Sequence, residues 1–139
     1  MADGIVVLAC GSRDWDAWGV IESTVSALHF QRRITRLIHG ACRGADRIAG
    51  EVANRLAITV VEYPARWGEL GKAAGPRRNH QMLAEGKPDL IVAFHDHLHT
   101  SRGTRDMVER SIAAGVEVWA IQSTGSKVEY PKGSRQLFS

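Results

Sequence analysis

The 139-residue sequence has few cysteines, a small net charge and no long apolar run. No apolar run is long enough to cross a bilayer. The segment 1–4 has no basic stretch of the kind that begins a secretory signal, and the apolar run after it has the length of a strand. Internal repeats, low-complexity tracts and linkers are also missing. We therefore expect one cytoplasmic domain with no membrane partner.

Cysteine is scarce and charge is mild. Cys10 and Cys42 are the only cysteines, and without an export signal both are expected to be reduced thiols. Hydrophobic residues make up 44% and charged residues 24% of the chain, which is ordinary for a globular domain. The formal net charge of +3 suits an anionic ligand, but it is too small to indicate nucleic-acid binding by itself.

Short apolar runs alternate along the chain with segments of helical periodicity. The runs predict five strands, at 5–10, 36–39, 58–63, 89–94 and 116–121. The periodic segments predict four helices, at 17–30, 45–56, 76–86 and 102–114. A long polar loop is expected at 64–75, and a flexible tail at 122–139.

This alternation predicts an α/β fold, because parallel strands need crossover helices between them. We expect a Rossmann-like three-layer domain over residues 1–121, with a five-stranded parallel sheet. The expected strand order is 3-2-1-4-5, with the switch point between the first and fourth strands.

The unusual residues collect after the carboxyl ends of the predicted strands, where ligands bind in open parallel sheets. Glycines before helices free backbone amides for phosphate oxygens, and arginine offers a bidentate fork. The predicted ligand-binding residues are Gly11, Ser12, Arg13, Asp14, Gly44, Asp46, Lys72, Arg78, Asn79, Ser101, Gly103 and Thr104.

Several of these residues have a simpler alternative explanation. Each glycine loop could be no more than a tight strand-to-helix turn. Asp46 could hold a ribose hydroxyl or satisfy amides of its own turn, and Asp106 could act on a sugar or interact with the helix dipole. The loop that holds Trp67 and Lys72 could be a lid over the ligand or a dimer contact.

His95, His97 and His99 alternate in the loop after the fourth strand. Alternating histidines can bind a transition metal. No carboxylate or cysteine pattern completes a familiar site, so we expect neither a metal nor another cofactor.

The chain resembles the SLOG superfamily over about residues 5–121. The segment 39–46 is similar to the Gly-x-Ala-x-Gly-x-Asp turn of that superfamily, which includes the DNA-processing protein DprA, and 76–79 is similar to its Pro-x-Arg-Asn element. The segment 101–104 resembles the Gly-Thr phosphate loop of the Lonely-Guy phosphoribohydrolases. The segments 11–14 and 71–76 resemble the YspA-like branch, which is common in phages and bacteria.

The resemblance implies a Rossmann-like domain, often a homodimer, that binds or processes nucleotides. In the Lonely-Guy enzymes an arginine and a glutamate support cleavage of the N-glycosidic bond, and Arg78 and Asp106 would be their catalytic counterparts here. Arg102 stands where those enzymes have a glycine, which weakens the match to a hydrolase.

Three functions follow from these patterns. The first is binding of a nucleotide or nucleotide-derived phosphate ligand. The second is N-glycosidic hydrolysis of a nucleoside monophosphate. The third is single-stranded nucleic-acid binding, by analogy with DprA, which the modest charge disfavours.

Overall fold

The computed structural model describes residues 4–137, which form one six-stranded sheet between two layers of helices. The strands are β1 (Ile5–Gly11), β2 (Ile34–His39), β3 (Thr59–Glu62), β4 (Leu90–Phe94), β5 (Glu117–Ile121) and β6 (Lys127–Tyr130). Their order is β3-β2-β1-β4-β5-β6. Every neighbouring pair is parallel except β5 and β6, which are antiparallel. The predicted α/β class and the order of the first five strands are confirmed.

Five α-helices connect and cover the strands. They are α1 (Trp18–Arg32), α2 (Ala45–Arg55), α3 (Trp67–Leu70), α4 (Ala74–Gly86) and α5 (Gly103–Ala113). α1 packs on α2 against one face of the sheet, and α4 packs on α5 against the other. No helix between residues 4 and 137 has the length and apolar character to cross a membrane.

The central strand β1 is buried on both of its faces. Val7 and Ala9 belong to the core beneath α1 and α2, whereas Leu8 and Cys10 belong to the core beneath α4 and α5. Successive side chains of a strand point to opposite faces, so a strand between two helical layers must be apolar throughout. This requirement explains why β1 was recognisable as a continuous apolar run.

The expected number of five strands was wrong, because the segment assigned to a flexible tail contributes β6. A turn joins β5 to β6, in which the amide of Gly125 donates to the carbonyl of Gln122 at 2.8 Å and Gly125 has φ +91°. This is a common hairpin arrangement, with glycine in the left-handed position. Three of the four β6 side chains are exposed, and the sequence of the strand therefore has no apolar run that would indicate a strand.

The expected loop at 64–75 is also more ordered than its composition indicated. It holds α3 and one 3-10 turn at Gly71–Ala73, and α4 begins at Ala74, before the proline expected to start it. Pro76 fits there because the first turn of a helix has no internal partner for the missing N–H. This short helical segment places Trp67 and Lys72 beside the ends of the strands.

Candidate functional site

A cleft of about 900 Å³ opens beside the carboxyl ends of β1 and β4, which is the switch point of the sheet. All of the predicted site residues line it except Gly44; they are Gly11, Ser12, Arg13, Asp14, Asp46, Lys72, Arg78, Asn79, Ser101, Gly103, Thr104 and Asp106. The topology therefore brings together loops that are far apart in the sequence.

Asp46 organises the turn that follows β2. Its carboxylate is buried, and Oδ2 accepts hydrogen bonds from the amides of Gly40 at 3.0 Å and Cys42 at 3.3 Å. Burial raises the pKa of Asp46 to about 6, although the two amides and the charge of Arg78 act in the opposite direction. The simpler explanation of Asp46 fits this geometry, since its hydrogen bonds hold the turn.

Arg78 is a buried cation in the wall of the cleft, with 9% of its surface exposed. Nη1 donates to the carbonyl of Gly40 at 2.6 Å and approaches that of Tyr63 at 3.5 Å, while Nε donates to Oδ1 of Asn79 at 3.0 Å. Both Nη atoms lie 3.8 Å from Sγ of Cys42. Within residues 4–137, no carboxylate forms an ion pair with Arg78.

Asn79 connects α4 to the start of α5. Its Nδ2 donates to Oδ2 of Asp106 at 2.9 Å and to the carbonyl of Gly103 at 3.3 Å. Arg110 donates from Nε to the same oxygen of Asp106 at 2.8 Å. Asp106 is therefore held as an ion-paired carboxylate at the edge of the cleft, with 31% of its side chain exposed.

The start of α5 is an open, partly capped helix terminus. Oγ of Ser101 accepts a hydrogen bond from the amide of Thr104 at 3.1 Å. A Cβ atom added to Gly103 would meet no heavy atom within 4 Å, so packing does not require glycine there. The terminus thus offers backbone N–H groups and partial positive charge to the cleft.

Close packing of the chain requires glycine at two positions, Gly11 at the end of β1 and Gly44 just before α2. A Cβ on Gly11 would lie 2.2 Å from the carbonyl oxygen of Phe94. Gly44 has φ +77°, and its Cβ would lie 2.4 Å from the carbonyl oxygen of Ser12. Both glycines are explained by close backbone packing without any ligand.

The outer part of the cleft holds Arg13, Trp67 and Lys72. The guanidinium carbon of Arg13 lies 5.5 Å from the centroid of the Trp67 ring, a cation–π contact. Trp67 is 48% exposed, and Lys72 is exposed on the 3-10 turn that follows it.

The histidine loop lines the cleft in a way that the sequence did not indicate. His95, Asp96 and His97 all face it, together with Ser123 from the turn before β6. Nδ1 of His95 accepts from the amide of His97, and burial lowers the pKa of His95. Asp96 accepts hydrogen bonds at 2.7 Å from both the amide and the hydroxyl of Ser123, which lower its pKa.

The sequence singled out these histidines only as metal ligands. In the part of the chain that the structure describes, no group of three His, Cys, Asp or Glu side chains could hold a metal ion. His99 is not among the residues that line the cleft. His95, Asp96 and His97 follow the carboxyl end of β4, so the rule that ligands bind at strand ends could have selected them. Ser123 could not be found in this way, because its position depends on the unpredicted turn before β6.

Fold and cleft together define a Rossmann-like domain with a polar cleft at the switch point of its sheet. Residues 5–69, just under half of the chain, match the model of the YspA, cpYpsA-related SLOG family (YAcAr). The resemblance to the YspA-like branch of the SLOG superfamily is thereby confirmed on the segment that carries β1 to β3 and the turns after β1 and β2. Among curated proteins, none matches the chain.

The chain is also similar to the X-ray structure of DNA processing protein A (DprA) from Streptococcus pneumoniae. The TM-score is 0.65 at 18% sequence identity, over 86% of this chain and 51% of that one. The chain thus spans about half the length of the DprA chain. At this identity the likeness supports the fold alone, which is Rossmann-like.

Proposed function

We propose that the cleft binds a nucleotide or nucleotide-derived ligand through its phosphate. The observation that carries the proposal is Arg78, a guanidinium buried in the cleft wall without an ion-pair partner among residues 4–137. The Asp46 carboxylate lies near enough to interact with Arg78 but forms no ion pair with it. A buried charge is costly when it has no ion-pair partner. A ligand phosphate would supply that charge and accept charge-assisted hydrogen bonds.

The open start of α5 supports the same proposal. Asn79 binds both Arg78 and the carbonyl of Gly103, so the cation and the helix terminus belong to one hydrogen-bonded unit. Helix starts bind phosphate because their amides and dipole point at the anion. Gly103 leaves room for an oxygen to approach those amides closely.

The experiment is to incubate the protein with nucleoside monophosphates, NAD and ADP-ribose, and to measure binding by calorimetry and products by mass spectrometry. Arg78→Gln is expected to weaken binding about ten-fold or more, since a lost charged hydrogen bond costs roughly 1.5–3 kcal/mol. Arg36→Gln is the matched control, because Arg36 also donates to a backbone carbonyl, that of Gly86 at 2.7 Å, but does not line the cleft. Equal affinities of the two variants would contradict the proposal.

A second candidate function is hydrolysis of the N-glycosidic bond of a nucleoside monophosphate. The observation in its favour is the ion-paired carboxylate of Asp106, one hydrogen bond from Asn79 in the same cleft. A carboxylate in that state can stabilise the positive charge that develops on ribose as the bond breaks. Asp106→Asn should then abolish release of free base while binding persists. Unchanged turnover would remove Asp106 from the reaction.

Binding of single-stranded nucleic acid and assembly as a homodimer are further proposals. The name of DprA, a DNA processing protein, suggests the first. The exposed cations Arg102, which lines the cleft, and Arg77, which precedes Arg78 on α4, would serve it. Such binding weakens steeply with salt, because counterions are released from the phosphates. Affinity for oligonucleotides that stays flat from low to high salt would exclude it.

A further inference from the structure

Trp67 differs from the other large apolar side chains on the surface. Four of them are exposed in the described part of the chain: Trp18, Phe30, Trp67 and Val128. Only Trp67 among these four lines the cleft. Trp15 also lines it, but 94% of its surface is removed from water, and its ring packs edge-on against Phe94 in the core. Trp67 therefore presents an indole surface to the cleft that the core does not use.

The ring of Trp67 is held in place by two neighbours. Its Cη2 atom lies 3.3 Å from the position that a Cβ on Gly75 would occupy, so the ring edge packs on the bare backbone of α4. The Arg13 guanidinium covers one face of the ring at 5.5 Å. An aromatic side chain held in this way loses little further freedom when a flat group stacks on it.

The contact of the ring with α4 also lies about one helical turn from the residues proposed to hold the phosphate. Gly75, Arg78 and Asn79 are spaced i, i+3 and i+4 on α4, and all three line the cleft. At 1.5 Å per residue, the Trp67 contact lies about 6 Å along the helix axis from Asn79. This separation is close to the length of the ribose that joins a base to its phosphate.

We propose that Trp67 is the surface on which the base of the ligand stacks, which makes it the residue that selects base-bearing phosphates over sugar phosphates. The proposal rests on the proposed function, because it takes the phosphate to lie near Arg78 and Gly103. Any base has a π-face, so this contact selects the class of ligand rather than one base.

The test compares ligands with and without a base on matched variants. Adenosine, guanosine, cytidine and uridine monophosphates are titrated beside ribose 5-phosphate and a short single-stranded oligonucleotide. The variants are Trp67→Ala, Trp67→Phe and Trp18→Ala. Trp18 is the control because it is similarly exposed and makes the same 5.5 Å contact with an arginine, Arg55, outside the cleft.

Trp67→Ala is expected to weaken the affinity for the monophosphates by roughly 5- to 150-fold, the range for loss of one stacked base. The affinity for ribose 5-phosphate should not change. Trp67→Phe should recover most of the affinity, and Trp18→Ala should lose none. A thermal melt of each variant checks that the fold is retained.

Different failures have different meanings. If Trp67→Ala lowers the affinity for ribose 5-phosphate as much as that for the monophosphates, or lowers neither, the stacking proposal is wrong and the proposed phosphate site is unaffected. If the oligonucleotide binds much more tightly than any monophosphate and depends on Trp67, the ring serves nucleic acid and the proposal is overturned. If none of the phosphates binds, the proposed function falls and this inference falls with it.

Discussion

The turns after β1 and β2 and the start of α5 all contain glycine beside polar residues, yet the structure uses them differently. In the first two turns the protein's own atoms occupy the space beside the backbone. Gly11 packs against the carbonyl of Phe94, and Asp46 accepts hydrogen bonds from two amides of its own turn. At the start of α5, nothing lies within 4 Å of where a Gly103 side chain would stand. Similar sequence patterns thus give a tightly packed region at Gly11 and Asp46, which we call the closed wall, and an open helix terminus at Gly103.

The largest expected difference is in stability at the closed wall. Gly11→Ala should destabilise the protein by about 3 kcal/mol or more, because its Cβ would lie 2.2 Å from a backbone oxygen that belongs to β4. The measurement is urea unfolding of the variant beside the unmodified protein. A loss of unfolding free energy below about 1 kcal/mol would show that the backbone around Gly11 can move to accommodate a methyl group. The closed wall would then be no more tightly packed than the start of α5.

Asp46 gives the next largest effect, and it depends on pH. Its pKa rises from 3.8 to about 6 in the folded state, so folding favours the protonated carboxyl. The stability that this group contributes is present below about pH 4 and is lost as the pH rises through 6. At 1.36 kcal/mol per pKa unit the loss approaches about 3 kcal/mol.

Asp46→Asn should remove this pH dependence, because the amide oxygen can accept the same two hydrogen bonds without a charge. Urea unfolding at a series of pH values between 4 and 7 measures the difference between variant and unmodified protein. We expect the variant to lose less stability than the unmodified protein as the pH rises. Parallel curves would show that the Asp46 carboxylate is not desolvated as the structure implies.

Gly103→Ala should have the smallest effect on stability and a clear effect on binding. Alanine is up to about 1 kcal/mol better than glycine in a helix, and no neighbour obstructs its Cβ. Affinity for a nucleoside monophosphate should nevertheless fall, since the methyl group would occupy the approach to the terminal amides. Gly19→Ala is the matched control, because its Cβ is also unobstructed in a helix, α1, outside the cleft.

Calorimetry and thermal melts measure both quantities for the two variants. Equal affinity of the Gly103 and Gly19 variants would mean that the start of α5 does not receive the ligand. A large loss of stability in the Gly103 variant would mean that this region is as closed as the turn after β1.

The sequence predicted those parts of the fold that carry their own pattern. Strands buried on both faces form continuous apolar runs in the sequence. The rule that ligands bind at carboxyl ends selected loops that the structure brings together around one cleft. β6 was not predicted because Lys127 and Glu129 alternate with Val128 on an exposed edge. Its pairing with β5 also depends on the turn at 122–126, whose composition is typical of a flexible tail.

The individual roles within the cleft were harder to predict, because they depend on contacts between distant segments. Asp46 and Asp106 are both aspartates in the first turn of a helix. One is buried by its own turn, and the other reaches Asn79, which lies 27 positions away. The position of each aspartate in its helix does not distinguish their roles. The roles differ because the fold places different neighbours beside each carboxylate.

If a ligand phosphate forms an ion pair with Arg78, phosphorus NMR should detect the contact. The phosphate resonance of a bound nucleoside monophosphate is recorded with the unmodified protein, with Arg78→Gln and with Arg36→Gln. We expect the resonance to shift and broaden with the unmodified protein and with the Arg36 variant, and to stay closer to that of free ligand with the Arg78 variant. A resonance that responds equally to all three proteins would show that the phosphate does not bind at Arg78.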